Sequence, residues 1–323
     1  MTFDADKYVR EIDCTGFANE LAGKLDALET VYPGATGLIA SIRTALVSYA
    51  GEVQPVPYTV DRRMKLKVDL PVTDRCNMAC RACSHFAPLA TDATMRDREG
   101  IAASVELLKE ACGDRVFTVF INGGEPLLHP DIEDIVRDVS AVFPERERYL
   151  VSNLVKYGIK RSMLRALLPE TGTSLAYSCY GDINKTGIKY ADEDAKKYNF
   201  PFVLFGTNPP DFTSYLKNVD PVYPAYGKRE CYMRQCPTLI GNYLYLCSPV
   251  AFLEYPNAAF GLDLRLSEFD RIDLRAVEHP DEVMVLMDLP HPFCRHCNVV
   301  DNHPIGWEIS DCARGEWFED PEE

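Results

Sequence analysis

Hydrophobic residues recur at helical spacing near the start of the chain. The repeat stops at Pro33-Gly34, after which a second helix is predicted over residues 37–49. An extended linker follows at residues 54–57, where two prolines disfavour the helical conformation of the residues before them. The apolar positions of the first repeat are Tyr8, Ile12, Phe17, Leu21, Leu25, Leu28 and Val31. Residues 1–60 are therefore predicted to form a helical segment.

From residue 64 onward, short apolar runs alternate with stretches of helical periodicity. The predicted strands are residues 64–70, 116–121, 148–152, 174–179 and 201–205. The predicted helices between them are residues 98–113, 131–142, 160–168 and 187–197. This alternation is typical of parallel βα units. We therefore predict an α/β fold with three parts: the helical segment 1–60, a parallel βα region 61–220, and a small α+β extension 221–323.

Composition and charge narrow the classes of partner and location. The chain has 323 residues, 46% of them hydrophobic and 26% charged, and a net charge of −15. Nucleic acids and anionic membranes repel an acidic surface, so neither is an expected partner. The sequence has neither an apolar run of about 18 residues nor the basic and apolar start of a signal peptide, which predicts a cytoplasmic protein. In that compartment, the twelve cysteines indicate metal binding rather than disulfides.

Three of these cysteines lie close together after the first predicted strand. Cys76, Cys80 and Cys83 have the spacing Cys-x3-Cys-x2-Cys. Their thiolates suit a soft metal, as zinc or as iron in an iron–sulfur cluster. Three ligands leave one coordination position open, and an open position is where chemistry takes place. The simpler alternative is half of a zinc site or a set of buried thiols.

A second motif, Asn-Gly-Gly-Glu-Pro at residues 122–126, ends the next predicted strand. Glycines at a strand end allow the backbone to approach a ligand closely. Together with the cysteines, this motif resembles the radical SAM superfamily. The resemblance implies a partial (β/α)6 barrel of the TIM type, with a 4Fe–4S cluster on the three cysteines and S-adenosylmethionine (SAM) at the fourth iron. By the same resemblance, the residues of the second motif that bind SAM are Gly123, Gly124, Glu125 and Pro126.

Further SAM contacts are implied at two later strand ends and in the cysteine loop. Ser152 and Asn153 follow the third predicted strand and Ser178 ends the fourth, although small polar residues at such places are also ordinary turn formers. The family usually has an aromatic residue just before the third cysteine, whereas this chain has Ala82. We therefore expect Phe86, or another aromatic residue, to contact the adenine ring.

The C-terminal extension contains a second group of cysteines. Cys236 and Cys247 lie on the two arms of a predicted hairpin, and Cys294 and Cys297 form a Cys-x2-Cys pair. Four such thiolates alone favour zinc. Beside a radical SAM core, the pattern resembles a Twitch domain, a shortened SPASM domain, and implies a second 4Fe–4S cluster. Cys231 is an alternative to Cys236 as the first ligand.

The resemblance implies reductive cleavage of SAM with an electron from a flavodoxin or ferredoxin. The 5′-deoxyadenosyl radical then takes hydrogen from a small polar substrate: a sugar, an aminocyclitol or a nucleoside. Oxidation and epimerisation both remain open, and Cys231 and Cys312 are the candidate hydrogen donors for epimerisation. The alternatives are radical modification of a ribosomally made peptide and a non-catalytic zinc-binding interaction protein. The acidic tail from Glu316 is expected to fray.

Overall fold

The N-terminal segment forms three helices that pack on the main core. The structure is a computed structural model and describes residues 3–60, 65–208, 210–212, 216–223, 231, 236–298 and 304–319. The three helices are α1 (Ala5–Ile12), α2 (Ala18–Val31) and α3 (Thr36–Ala50). The single repeat predicted up to Val31 is wrong at Asp13, whose left-handed backbone (φ 48°) ends α1. Cys14 is buried in the short 3-10 turn that follows, rather than in a helix.

One eight-stranded sheet dominates the described part of the chain. The strands are β1 (Leu66–Thr73), β2 (Val116–Gly123), β3 (Glu147–Ser152), β4 (Ser174–Tyr177), β5 (Phe202–Leu204), β6 (Asp211–Phe212), β7 (Thr238–Ile240), β8 (Tyr243–Tyr245), β9 (Arg271–Asp273) and β10 (Ile305–Gly306). The sheet has the order β5-β4-β3-β2-β1-β7-β8-β9, and β6 and β10 pair separately. β1 to β5 and β7 are parallel, whereas β8 and β9 are antiparallel additions. The α/β fold with a partial barrel is confirmed.

Most of the helices cover one face of this sheet. The helices after α3 are α4 (Arg98–Cys112), α5 (Ile132–Val142), α6 (Tyr157–Thr171), α7 (Lys185–Tyr198), α8 (Ser248–Ala251), α9 (Glu254–Phe260) and α10 (Pro280–Asp288). Alternate β1 residues from Leu66 to Val72 belong to the main core, with side chains from α1 to α7. Because side chains alternate along a strand, Lys67, Asp69 and Pro71 face the opposite side. We call that side the inner face.

A second, smaller core joins the cysteine loop to the C-terminal residues. It contains Phe86 and Leu89 from the loop, together with Phe293, Trp317 and Phe318. Trp317 and Phe318 are each 1% exposed, so the expectation of a frayed tail is wrong as far as residue 319. Residues 320–323 lie outside the described part. No helix in the described ranges is long and apolar enough to cross a membrane.

Candidate functional site

The loop with Cys76, Cys80 and Cys83 leaves the C-terminal end of β1 and is fixed at both of its ends. Asp74 at its start forms a bidentate ion pair with Arg96 at its end, and the longer of the two hydrogen bonds is 3.2 Å. The Tyr255 hydroxyl donates to the same carboxylate at 2.6 Å. Asp74 is 3% exposed, so this pair is largely removed from water. A paired buried charge fixes geometry, because moving either partner would leave the other uncompensated.

The glycine pair at the end of β2 packs on the start of this loop. A Cβ on Gly123 would lie 2.2 Å from the Thr73 carbonyl oxygen, and one on Gly124 would lie 2.2 Å from that of Arg75. The backbone N–H of Gly124 donates a hydrogen bond to the Thr73 carbonyl oxygen at 2.7 Å, and the N–H of Glu125 donates to the Arg75 carbonyl oxygen at 2.8 Å. The sequence predicted close approach to a ligand, and the structure adds close approach to the backbone that leads into the cysteines. The SAM contacts of Gly123, Gly124, Glu125 and Pro126 stay predictions.

Glu125 joins the ends of β2 and β3. Its fully buried carboxylate accepts hydrogen bonds from the Ser152 hydroxyl at 2.8 Å, the Asn153 N–H at 2.7 Å and the Leu127 N–H at 3.0 Å. Burial raises the pKa of Glu125 to about 7 in spite of these donors. The Ser152 hydroxyl therefore holds Glu125, whereas the Asn153 amide reaches the cysteine loop, 2.9 Å from Asn77 Oδ1. Contacts of Ser152 and Asn153 with SAM stay predictions.

The sulfurs of the cysteine loop are largely buried and receive hydrogen bonds. The Trp307 indole N–H lies 3.2 Å from Cys80 Sγ, and the Tyr180 hydroxyl also hydrogen-bonds this thiol. Cys76 Sγ accepts from the Met78 N–H at 3.4 Å and lies 3.9 Å from the Asn153 amide nitrogen. Burial raises the pKa of Cys76 to about 12 and that of Cys80 to about 11. Ligand-free, these groups are therefore protonated thiols at neutral pH.

The donor set of this loop fits a soft-metal centre. Three sulfurs lie on one loop within electrostatic reach of one another, since the charges of Cys80 and Cys83 both act on Cys76. Across the described residues, no three His, Cys, Asp or Glu side chains are gathered closely enough to hold a metal ion. A cavity of about 650 Å³ opens beside Cys76 and is bounded by the loop and Leu128.

Four cysteines of the C-terminal extension form a second group. Burial raises the pKa of Cys297 well above its ordinary value, and the charges of Cys294, Cys247 and Cys231 raise it further. Cys294 and Cys297 share one tight turn, in which the Cys297 N–H donates to the Cys294 carbonyl at 3.1 Å. Cys231, Cys247 and Cys294 therefore lie within electrostatic reach of Cys297. Which thiols are metal ligands stays a prediction.

Cys236 lies beside β1 instead. Burial and the charges of Asp69 and Cys231 raise the pKa of Cys236 to about 12, whereas Lys67 acts to lower it. β7 begins two residues after Cys236 and pairs with β1, with Thr238 opposite Asp69. Since side chains alternate along an extended chain, Cys236 faces the inner side together with Asp69. Cys236 thus lies beside β1 and within electrostatic reach of Cys231, and the predicted roles of the two thiols stay predictions.

A polar network on the inner face escaped the sequence analysis. Asn122 Nδ2 donates to Asp69 at 2.9 Å, and Ser248 Oγ lies 3.4 Å from the other carboxylate oxygen. His85 Nε2 lies 3.1 Å from Ser248 Oγ, and its Nδ1 donates to the Gly123 carbonyl at 2.8 Å. Burial raises the pKa of Asp69 to about 7. The available signal was Asp69 itself, a carboxylate between the apolar strand residues Val68 and Leu70.

Three other predicted site residues make contacts that the sequence did not indicate. Phe86 is 1% exposed, and the centre of its ring lies 5.9 Å from that of Trp317 in the second core. This placement does not support a contact with adenine, which stays a prediction. Ser178 lies just beyond β4 and hydrogen-bonds the Tyr180 hydroxyl. Cys312 is exposed, with its sulfur 3.5 Å from the Pro88 carbonyl oxygen. The aromatic residues beside the thiols are Tyr180 and Trp307.

A partial barrel with a three-cysteine loop after β1 and a glycine pair at the end of β2 defines the class of protein. Local sequence similarity to radical SAM enzymes supports a place for the chain in the radical SAM superfamily. It is 39% identical over 83 residues to GTP 3′,8-cyclase 1 of Mycobacterium tuberculosis. It is 28% identical over 124 residues to GTP 3′,8-cyclase of Moorella thermoacetica, and 34% identical over 94 residues to PqqA peptide cyclase of Xanthomonas euvesicatoria pv. vesicatoria.

These similarities are local. In the same order they cover 25%, 38% and 29% of this chain, and 22%, 36% and 23% of the relatives. The matches thus span about a fifth to a third of the length of these curated relatives. No family model matches the chain. A solved structure, the crystal structure of BtrN in complex with AdoMet and 2-DOIA, aligns with this chain with a TM-score of 0.42 and 14% sequence identity. The alignment covers 58% of this chain and 74% of that one. This likeness is too weak to bear on fold or function.

Proposed function

We propose that the protein is a radical SAM enzyme acting on a small polar substrate. The observation that carries the proposal is the joint placement of the cysteine loop and the glycine pair at neighbouring strand ends. Cys76, Cys80 and Cys83 would hold a 4Fe–4S cluster with one iron left for SAM. Such a cluster, reduced by a flavodoxin or ferredoxin, would supply the electron for reductive cleavage of SAM.

The protein's own contribution is to fix that centre. The Asp74–Arg96 pair closes the ends of the cysteine loop, and the glycine pair brings β2 against its first residues. Glu125 ties the same point to β3 through the Ser152 hydroxyl. The cavity beside Cys76 gives a ligand access to the loop. These contacts hold backbone from three consecutive strands in one place, as a catalytic centre at strand ends requires.

We assign the second group of thiols, Cys231, Cys247, Cys294 and Cys297, to an auxiliary 4Fe–4S cluster. The electrostatic reach of Cys231, Cys247 and Cys294 to Cys297 supports one shared centre. Cys247 and Cys297 also pack on the second core, which contains Phe86 of the cysteine loop. Four thiolates suit zinc equally well by chemistry, so the proposal of iron rests on the neighbouring radical SAM loop and is decided by iron analysis.

The inner face supports a substrate rich in hydroxyl or amine groups. The amide oxygen of Asn122 is buried, and no described residue gives it a hydrogen bond. It lies beside the Asp69 carboxylate, which the Asn122 amide already contacts. Both oxygens accept hydrogen bonds, so a ligand that reaches them brings O–H or N–H donors. Phe120 adds an apolar neighbour, with the rings of Tyr149 and Phe205 each 5.4 Å away. A sugar or aminocyclitol combines such donors with apolar ring faces.

Cys236 allows the two candidate reactions to be distinguished. Oxidation removes two hydrogens from a hydroxyl-bearing carbon and needs an electron acceptor, a role that a second cluster would supply. Epimerisation returns a hydrogen atom to carbon and needs a protonated thiol near the substrate. Cys236 is such a thiol on the inner face, whereas Cys312 lies beside Pro88. We favour oxidation, because epimerisation gives a second cluster no electron to accept.

The matched variants Cys231→Ala and Cys236→Ala test this proposal. We expect Cys236→Ala to retain about eight iron per chain and SAM cleavage, and Cys231→Ala to lose up to about four. For oxidation, Cys236→Ala stays active and product made in deuterated water carries no new carbon-bound deuterium. For epimerisation, it gives no epimer and the wild-type product gains one deuterium. Iron loss in Cys236→Ala alone would overturn the ligand assignment, and iron-loaded wild type that does not cleave SAM would overturn the function.

A further inference from the structure

Residues 304–319, which we call the C-terminal strap, lie across the cysteine loop. The Arg81 N–H donates to the Glu308 carbonyl at 3.0 Å, and the Ser310 N–H donates to the Ala79 carbonyl at 2.9 Å. These two bonds flank Cys80, which forms an antiparallel bridge with Ile309 of the strap. These two backbone hydrogen bonds fix the register of the strap against the loop. The position of Trp307, two residues before the bridge, is therefore defined as well.

Trp307 of the strap contacts the sulfur of Cys80 directly. Its indole N–H lies 3.2 Å from Cys80 Sγ, although 227 positions separate the two residues in the chain. Its ring packs edge-on against Tyr180 at 5.4 Å, and the Tyr180 hydroxyl hydrogen-bonds the same sulfur. Cys80 is 8% exposed, so little water competes for this sulfur. An indole N–H can only donate, so the sulfur is the acceptor.

Hydrogen bonds to a ligand sulfur change the reduction potential of an iron–sulfur cluster. Reduction adds an electron, part of whose charge falls on the thiolate sulfurs. A donor aimed at such a sulfur therefore stabilises the reduced form more than the oxidised form. Shielding from water strengthens the effect, because a low dielectric screens the donor less. The surroundings of Cys80 meet both conditions.

We propose that Trp307 is a positioning residue that raises the reduction potential of the cluster on Cys76, Cys80 and Cys83 by donating its indole N–H to Cys80. This inference rests on the proposed function, since it requires that cluster. It gives the strap a role in the radical site: the C-terminal residues help to set how readily the cluster accepts its electron. Tyr180 supplies a second donor to the same sulfur.

The test is a redox titration of the reconstituted protein, followed by electron paramagnetic resonance. Trp307→Phe keeps an aromatic ring but removes the donor. We expect unchanged iron content and an about tenfold lower ratio of reduced to oxidised first cluster at a fixed potential, equivalent to about 59 mV for one electron. Ile309→Ala is the matched control, because Ile309 lies in the same strap and is 66% exposed. Its potential should equal that of the wild type.

The outcomes separate this inference from the proposed function. A wild-type cluster whose signal changes on addition of SAM, with an unchanged potential in Trp307→Phe, overturns the role of Trp307 alone. Absence of a SAM-responsive cluster in wild type overturns the proposed function as well. If Trp307→Phe fails to retain iron, Tyr180→Phe decides: a lower potential supports donor tuning at Cys80, and an unchanged one overturns it.

Discussion

At position 124, the space left by the neighbouring backbone admits only glycine. Its backbone angles are open to any residue, but a Cβ there would lie 2.2 Å from the Arg75 carbonyl oxygen and 2.7 Å from that of Asp74. Backbone atoms cannot move aside as a flexible side chain can. A methyl group at this position would therefore push the end of β2 away from the cysteine loop.

We expect Gly124→Ala to lower the free energy of unfolding by about 2 kcal/mol, the scale of overpacking in a dense region. It should also abolish SAM cleavage, because Glu125 and the loop lose their register. Gly158→Ala is the control: that glycine lies in α6, and a Cβ there meets no atom within 4 Å. This change should stabilise the protein by about 0.5–1 kcal/mol. Equal denaturation midpoints for Gly124→Ala and wild type would contradict the account.

Residue roles could be predicted from sequence only where neighbours in the chain carry the signal. The spacing of Cys76, Cys80 and Cys83 is local, so it is visible in the sequence. The contact between Trp307 and Cys80 is not, because it depends on how residues 227 positions apart meet. Phe86 shows the opposite case: its place in the loop suggested adenine, but its ring is buried beside Trp317. Burial of an aromatic ring depends on distant partners.

At the scale of elements, the helices and strands of the barrel followed from periodicity. Apolar spacings of 3.6 and 2 residues reflect single elements, so α4 and α7 were predicted to within a few residues. The break at Asp13 was missed because a left-handed non-glycine residue leaves no mark in an apolar repeat. The choice between Cys231 and Cys236 was left open for a related reason. The position of Cys236 depends on the pairing of β7 with β1, and the sequence does not show that pairing.

The contact between α6 and α7 depends on one buried carboxylate. Asp194 of α7 accepts hydrogen bonds from Tyr157, Arg161 and Arg165 of α6 at 2.7–3.1 Å. Burial acts to raise the pKa of Asp194, but the hydrogen bonds of the two arginines and the tyrosine outweigh it and hold the pKa below its usual range. A depressed pKa means that this carboxylate stabilises the fold above its ordinary pKa of about 3.9 and loses that effect as the pH falls toward the folded value.

Asp194→Asn should lower the free energy of unfolding by about 2 kcal/mol at neutral pH, since it removes the buried charge partner of Arg165 and leaves Arg161 with the longer ion pair to Glu193, at 3.3 Å. The difference from wild type should shrink as the pH falls below about 4. Asp192→Asn on the same helix is the control, because Asp192 pairs with Lys196 at an exposed site and should change stability by less than about 0.5 kcal/mol. A pH-independent gap between Asp194→Asn and wild type would argue against the pairing.

At the scale of the whole molecule, the two cysteine groups share the second core. That core contains Phe86 and Leu89 of the first loop, and Cys247 and Cys297 of the second group pack against it. The sheet also continues across the predicted boundary at residue 220, since β7 pairs with β1. The division into a barrel and an extension stays a prediction.

The central claim is that Cys76, Cys80 and Cys83 hold the cluster that cleaves SAM. The most direct measurement is the release of 5′-deoxyadenosine from SAM by reduced, anaerobically reconstituted protein, together with its iron content. We expect wild type to hold about eight iron and to release the product, and the triple Cys→Ala variant to keep about four and to release none. Cys14→Ala, at a buried thiol outside both groups, should behave as wild type. Release of 5′-deoxyadenosine by the triple variant would contradict the account.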